Sequence, residues 1–187
     1  MVERFEIRLS GSGGQGLVLA GVILAEAAAI HDNMYAVQSQ SYGPEARGGA
    51  SKSEVIIGSE PISYPKATSP DLLVALNQES FNKYAPSVQA GGLVVVDSEY
   101  VVDELKGNYR LIGLPMTELA RTQIGREMVV NILCLGVIQE LTGTVSREAL
   151  ERAVMHRVPR GTENINMKAF ALGIETARKY KQEHPNG

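Results

Sequence analysis

Apolar and polar residues alternate along Phe5-Glu6-Ile7-Arg8-Leu9, the period of a strand with one face buried. A glycine cluster from Gly11 to Gly16 ends that pattern, and Leu17 to Ile30 then runs rich in Ala and Leu. That stretch predicts a buried helix. Met34 to Gln38 predicts a second strand, Ser41 to Gly49 a turn-rich loop, and Ser53 to Ile57 alternates again before Gly58 and Pro61 close it. Two uninterrupted apolar runs follow. One is Leu72 to Leu76 behind Asp71 and the Ser69-Pro70 turn; the other is Leu93 to Val96, between Gly91-Gly92 and Asp97. Runs without alternation mark strands covered by helices on both faces, as in parallel sheets. Tyr109 to Leu114 predicts a further strand, with Pro115 opening a helix. Met128 to Leu141 is a helix apolar on nearly every side, so it must be central or covered by another subunit. Ser146 caps the next helix, with Glu148 favourable in its first turn, and Asn166 to about Lys181 is the last. Strands alternating with helices argue for an α/β layered fold around a mainly parallel sheet.

Composition narrows the class. The chain has 187 residues, within the roughly 100–200 that one domain uses, so residues 1–187 read as a single domain. Hydrophobic residues make up 44% and charged residues 21%, which excludes disordered and collagen-like chains. The net charge is -3 and no Lys/Arg cluster stands out, so neither nucleic acid nor an anionic membrane is an expected partner. The N-terminus shows no apolar targeting segment, and the longest apolar run, Leu17 to Ala25, is too short to span a bilayer. The cytoplasm is the expected compartment. Cys134 is the one cysteine, which excludes an internal disulfide and any cluster or zinc site built from this chain's cysteines alone.

The glycine cluster fits G-x-G-x-x-G through Gly11, Gly13 and Gly16, with Gly14 and Gln15 between. It lies directly after a strand and before a helix, the context that the motif requires. Glycine permits a sharp turn and close backbone approach, and a helix N-terminus offers free N–H groups to an anion. Three readings stay open: a dinucleotide site, a tight strand–helix turn, and contact with another anionic ligand or partner. A dinucleotide site wants an acid ending the second strand. Asp32 has about the right spacing but precedes that strand, and the residues ending it are Gln38, Ser39 and Gln40. The second candidate is the stretch Ser41 to Gly49, with Tyr42, Gly43, Glu45, Arg47 and Gly48. In a doubly wound fold it stands beside the glycine loop. It reads as a binding or docking loop, or as a surface loop with a weak Glu45–Arg47 pair.

The rest of the inventory is thin. His31 reads as a cation at a helix C-terminus, His156 as an exposed side chain, His184 as part of a frayed tail, and Cys134 as a small buried hydrophobe. No histidine spacing suits a metal. A Walker lysine is absent, since Leu17 follows Gly16.

Several stretches converge on one family. Gly11-Ser12-Gly13-Gly14-Gln15-Gly16, Gln40-Ser41-Tyr42-Gly43-Pro44-Glu45-Ala46-Arg47-Gly48-Gly49 and Pro70-Asp71-Leu72-Leu73-Val74-Ala75-Leu76-Asn77-Gln78 together resemble the gamma subunit of 2-oxoacid:ferredoxin oxidoreductases. Gly91 to Ser98, the helix bearing Asn131, and Asn164 to Phe170 continue the likeness over essentially the whole chain. The resemblance implies a Rossmann-like three-layer domain. It implies a complex that oxidatively decarboxylates a 2-oxoacid with coenzyme A, giving acyl-CoA, carbon dioxide and reduced ferredoxin.

Thiamine diphosphate, Mg2+ and iron–sulfur clusters would then sit in partner alpha and beta subunits and a ferredoxin-like delta subunit. No cofactor would be tightly bound here, no residue of this chain would be catalytic, and the chain alone would be inactive. Gly11, Gly13, Gly14, Gln15, Gly16, Tyr42, Gly43, Glu45, Arg47 and Gly48 would face coenzyme A or the neighbouring subunits, with Arg47 the natural partner for a phosphate or carboxylate. The Tyr42-to-Ser51 wording looks most like enzymes of 2-oxoglutarate, with pyruvate and branched-chain versions as alternatives. A free dinucleotide-binding reductase and an assembly module touching partners only also stay open, as does a homodimer of the isolated chain.

Overall fold

Residues Arg4–Gly11 form β1, whose Ile7 and Leu9 point to one side of the sheet while Glu6, Arg8 and Ser10 point to the other. The computed structural model describes residues 3–41, 51–103 and 105–185. From the glycine loop the chain enters α1 (Leu17–Glu26), which continues as a π-helical turn, Ala27–His31. It then forms β2 (Tyr35–Ser41), β3 (Ser51–Gly58) and β4 (Leu72–Ala75). The short α2 (Gln78–Tyr84) leads to β5 (Gly92–Asp97) and β6 (Tyr109–Leu114). Among the described residues four α-helices follow: α3 (Met116–Leu119), α4 (Val130–Thr142), α5 (Arg147–Arg157) and α6 (Glu163–Glu183).

The six strands form one sheet in the order β2-β3-β1-β4-β5-β6. β1, β4, β5 and β6 pair in parallel, and β3 alone runs antiparallel to both its neighbours. The expected mainly parallel sheet is therefore present, with one reversed strand. β4 and β5 are buried along their whole length, as their unbroken apolar runs require.

Alternation divides the core in two. Ile7, Leu9, Val74 and Val95 face the layer of α1 and α4–α6. Leu73, Ala75, Val94 and Val96 face α2, where Phe81 is fully buried and contributes on the order of 2–3 kcal/mol by leaving water. Sheet and two helical layers make the three-layer architecture. α4 is central. Every residue from Val130 to Ile138 is buried, because α6 lies against it through two glycines. A Cβ on Gly136 would stand 2.1 Å from the Phe170 carbonyl oxygen, and one on Gly173 would stand 2.0 Å from that of Leu133. Glu140, at the end of α4, ties the seam to Arg178 and Lys181 of α6 at 3.1 and 3.2 Å.

One sequence expectation, for His184, changes, and the readings of Asp32 and His156 gain partners. Asp32 is a structural acceptor: its carboxylate takes the Ser146 N–H at 2.7 Å and the Ser146 hydroxyl at 2.6 Å, so it cannot serve a ribose. Ser146 in turn caps α5 by accepting from Ala149 N–H, as its position predicts. His156 is exposed yet bound, its Nδ1 lying 2.6 Å from Glu26 Oε1, while Arg157 Nε donates to Glu26 Oε2. Burial pushes the Glu26 carboxyl upward, but the bonds and charges of His156 and Arg157 outweigh it and hold the group below its ordinary range. His184 is not frayed: its ring stacks on Tyr180 at 4.3 Å. No described helix is long and apolar enough to cross a membrane.

Candidate functional site

The parallel strands all end at one edge of the sheet, and the chain switches direction there between β1 and β4. After β1 it builds outward to β2 and β3; after β4 it builds the other way. Such a switch point opens a crevice beyond the strand ends, the place where open α/β sheets bind ligands. Here it is a cleft of about 430 Å³. Its floor is the glycine loop, from Ser12 to Gln15, and its walls include Asn77, Tyr100 and Glu127.

The loop's geometry follows from its residues. Gly14 (φ 93°) and Gly16 (φ 72°) adopt left-handed backbone, which disfavours any residue with a Cβ. Gly16 caps α1 and is clasped from below: Asn131 Nδ2 donates to its carbonyl at 3.1 Å, and a Cβ on Gly16 would meet that nitrogen at 2.6 Å. Gly11 is hemmed in by Gln15, whose Oε1 accepts the Ser12 N–H at 2.7 Å and closes the turn. Gly13 differs from these. Its backbone is not left-handed, and a Cβ there would meet nothing within 4 Å among the described residues.

A second cavity, about 520 Å³, lies on the other side of the loop. Gly14, Gly16, Leu19, Met128, Val158 and Ile165 give it an apolar lining. Met128 is 78% exposed at this point.

The structure brings together Gly11, Gly13, Gly14, Gln15 and Gly16 at the cleft. Tyr42, Gly43, Glu45, Arg47 and Gly48 lie outside the described residues. The strand residues on either side of them are placed, however. Ser51 pairs with Gly11, and Ser41 with Lys52, so Ser41 and Ser51 both lie at the glycine-loop edge of the sheet.

Other groups at this edge have structural duties. Asp97 is fully buried and accepts from Thr117 N at 2.8 Å, the Thr117 hydroxyl and Glu99 N at 3.1 Å. Burial still pushes its carboxyl above the ordinary range. Cys134 is fully buried with its Sγ 3.7 Å from the Met116 sulfur, and burial, with the Asp97 charge nearby, pushes the thiol far up. A thiol so held is not a nucleophile. On the rim, Arg121 bonds Glu99 at 2.7 Å and faces Glu127 at 3.6 Å.

Sequence reasoning misses Asn77 and Tyr100 as walls of this cleft, and Gln78 beside them. Asn77 precedes Gln-Glu-Ser and so carries an N-cap signature, and the structure confirms the cap: its side chain accepts from Ser80 N at 2.8 Å. Its second contact, and those of Gln78 to Val102 and Asp103, reach residues far away in sequence.

A doubly wound sheet with a glycine loop at its switch point defines a Rossmann-like binding domain. Residues 6–176 match the family described as pyruvate ferredoxin/flavodoxin oxidoreductase. Over 178 residues the chain is 50% identical to the 2-oxoglutarate synthase subunit KorC of Methanocaldococcus jannaschii, covering 94% of this chain and 95% of the relative. It superimposes on the gamma subunit of a keto/oxoacid ferredoxin oxidoreductase from Geobacter sulfurreducens PCA with a TM-score of 0.89 and 50% identity, over 95% of this chain and 98% of that one. The fold also recurs in a 2-oxoglutarate:ferredoxin oxidoreductase from Magnetococcus marinus, at a TM-score of 0.85 and 22% identity, over 96% of this chain and 32% of that one. The chain belongs to the pyruvate ferredoxin/flavodoxin oxidoreductase family.

Proposed function

We propose that residues 1–187 form the gamma subunit of a complex that converts 2-oxoglutarate and coenzyme A to succinyl-CoA and carbon dioxide. The two electrons released pass to ferredoxin. The observation that carries this reading is the 50% identity, over nearly the whole of both chains, to a 2-oxoglutarate synthase subunit. The chain's own inventory agrees: a single cysteine cannot hold a cluster. Thiamine diphosphate with Mg2+ would supply the carbanion chemistry, and iron–sulfur clusters the electron path, both in partner alpha, beta and ferredoxin-like delta subunits.

This chain's part is to bind and orient. Among the described residues nothing comes within 4 Å of a Cβ placed on Gly13 or Gly14, and the loop opens the N-terminus of α1, so a phosphate or carbonyl of coenzyme A would fit against backbone N–H groups. In this reading Gly11, Gln15 and Gly16 shape the turn. Tyr42, Gly43, Glu45, Arg47 and Gly48 would serve the same ligand or the neighbouring subunit. The subunit works in the cytoplasm, and isolated chains pair as homodimers; small-angle scattering that gives a monomer mass at micromolar concentration would contradict the pairing.

The test is an anaerobic pull-down from the native cell, with dye reduction that depends on 2-oxoglutarate and coenzyme A assayed on the eluate. Co-purifying activity with 2-oxoglutarate supports the reading. Activity with pyruvate or a branched-chain acid in its place would replace the substrate. In the active complex, Gly13→Val should raise KM for coenzyme A about tenfold or more with little change in kcat, the pattern of lost ground-state binding.

A further inference from the structure

Asn77 and Gln78 follow β4 at the switch point, and their two side-chain amides bond in three directions. Asn77 Oδ1 caps α2, while its Nδ2 donates to Ser12 Oγ at 2.9 Å. Gln78 Oε1 accepts both the Val102 and the Asp103 N–H at 2.9 Å, and its Nε2 donates to the Asp103 carbonyl at 2.8 Å and to Asn82 at 2.9 Å. Two adjacent residues therefore tie the loop after β1 to the loop after β5.

These bonds are badly placed for stability. Most are exposed, where water competes for the same groups and the net gain is small. The cap of α2 needs Asn77 alone. What the Gln78 bonds do is fix the backbone of the segment running from Ser98 to Asp103. Val101 anchors that segment in the core at 9% exposure, Val102 is held outward at 75%, and Tyr100 stands 41% exposed on the cleft wall. Binding is tighter when a site's walls are ordered before the ligand arrives, because the ligand then does not meet the entropic cost of ordering them.

We infer that Asn77 and Gln78 are positioning residues, which lock the Ser12–Gln15 turn and the 98–103 segment into one preformed rim around the cleft. The inference rests on the reading of that cleft as a coenzyme A contact, and it adds two residues that touch neither the reacting atoms nor the glycine-loop backbone.

The experiment uses the reconstituted complex with three variants of this chain. Asn77→Ser keeps a capping hydroxyl for Ser80 but is too short to reach Ser12. Gln78→Ala removes all the Gln78 side-chain bonds. Gln78→Glu keeps the acceptor for Val102 and Asp103 and loses the donor to the Asp103 carbonyl. Amide exchange at Val102 and Asp103 reads the lock directly, and steady-state kinetics read its use. Gln78→Ala should speed that exchange about tenfold or more, as expected when a local bond is lost. It should raise KM for coenzyme A about five- to tenfold with kcat within about twofold, a split that general unfolding does not produce. Gln78→Glu should fall between Gln78→Ala and the parent chain, and Asn77→Ser should raise KM without moving the Val102 exchange.

Unchanged exchange in Gln78→Ala would overturn the inference, as would faster exchange with KM unmoved. Gly13→Val separates the two levels. If it raises KM while the Asn77 and Gln78 variants do not, only the positioning role fails. If Gly13→Val also leaves KM unmoved, the cleft is not the coenzyme A contact and the inference falls with that reading.

Discussion

The seam between α4 and α6 and the loop between β1 and α1 both depend on glycine, for opposite reasons. At the seam, Gly136 and Gly173 are helical residues whose missing Cβ lets two backbones touch: each added carbon would sit about 2 Å from a carbonyl oxygen of the facing helix. In the loop, a Cβ added to Gly13 would meet no described residue within 4 Å, and no left-handed backbone requires glycine there. The seam glycines are explained entirely by this chain. No described residue accounts for Gly13 in the same way. The contrast between a glycine hemmed in by the facing helix and one that no described residue approaches is more informative than the G-x-G-x-x-G pattern itself.

The largest effect should come from breaking the seam. Gly173→Ala forces the helices apart, and overpacking of a close backbone contact costs about 3 kcal/mol or more. Urea unfolding should show the loss, with Tm lower by roughly 10 °C for a domain of this size. Asn131 joins the two regions, packing in α4 while holding the Gly16 carbonyl. Asn131→Ala should cost about 1–3 kcal/mol, the penalty for a buried group left without its partner, and should loosen exchange at the start of α1.

The next effect depends on pH. Burial pushes the Glu140 carboxyl up, but Lys181 and Arg178 pull it further down, so the group is held below its unfolded value of 4.5. A carboxyl held low in the folded state adds stability that is fully present above about pH 4.5 and is lost as pH falls through the folded value. Since both cations are half exposed, the contribution is about 1 kcal/mol or less. Glu140→Gln should remove it at neutral pH and leave stability in acid nearly unchanged. Denaturation midpoints at pH 7 and pH 3 would show the difference, and an equal loss at both would disprove the assignment.

Gly13→Ala should have the smallest effect on stability, within about 0.5 kcal/mol or slightly stabilising. Its consequence should appear only in the assembled complex, as weaker coenzyme A binding. A large drop in Tm would mean that the loop is constrained by its own fold after all, and the contrast with the seam would collapse.

The sheet was largely legible in the sequence because its strands carry their own signatures. β4 and β5 read as apolar runs, and β1 and β3 read as alternations. The central position of α4 followed from its apolar surface. What was not legible was pairing at a distance. Glu26 reaches His156 and Arg157 at the far end of α5, and Asp32 reaches Ser146; local spacing shows an exposed histidine and an ill-placed acid but neither partner. Gly136 and Gly173 look like ordinary helix-weakening residues until the two helices meet. The glycine loop was visible as a motif, while the bonds of Asn77 and Gln78 to Ser12, Val102 and Asp103 span up to 65 residues and leave no periodic trace.

Cys134 has a practical consequence. As the one thiol of the chain, sealed in the core beside Met116, it should react little with maleimide or methanethiosulfonate reagents under native conditions. A cysteine introduced at Tyr100 or Ser12 would then be the single labelled position. A fluorophore or spin label placed there would report, one molecule at a time, how far the rim moves as the complex loads and turns over.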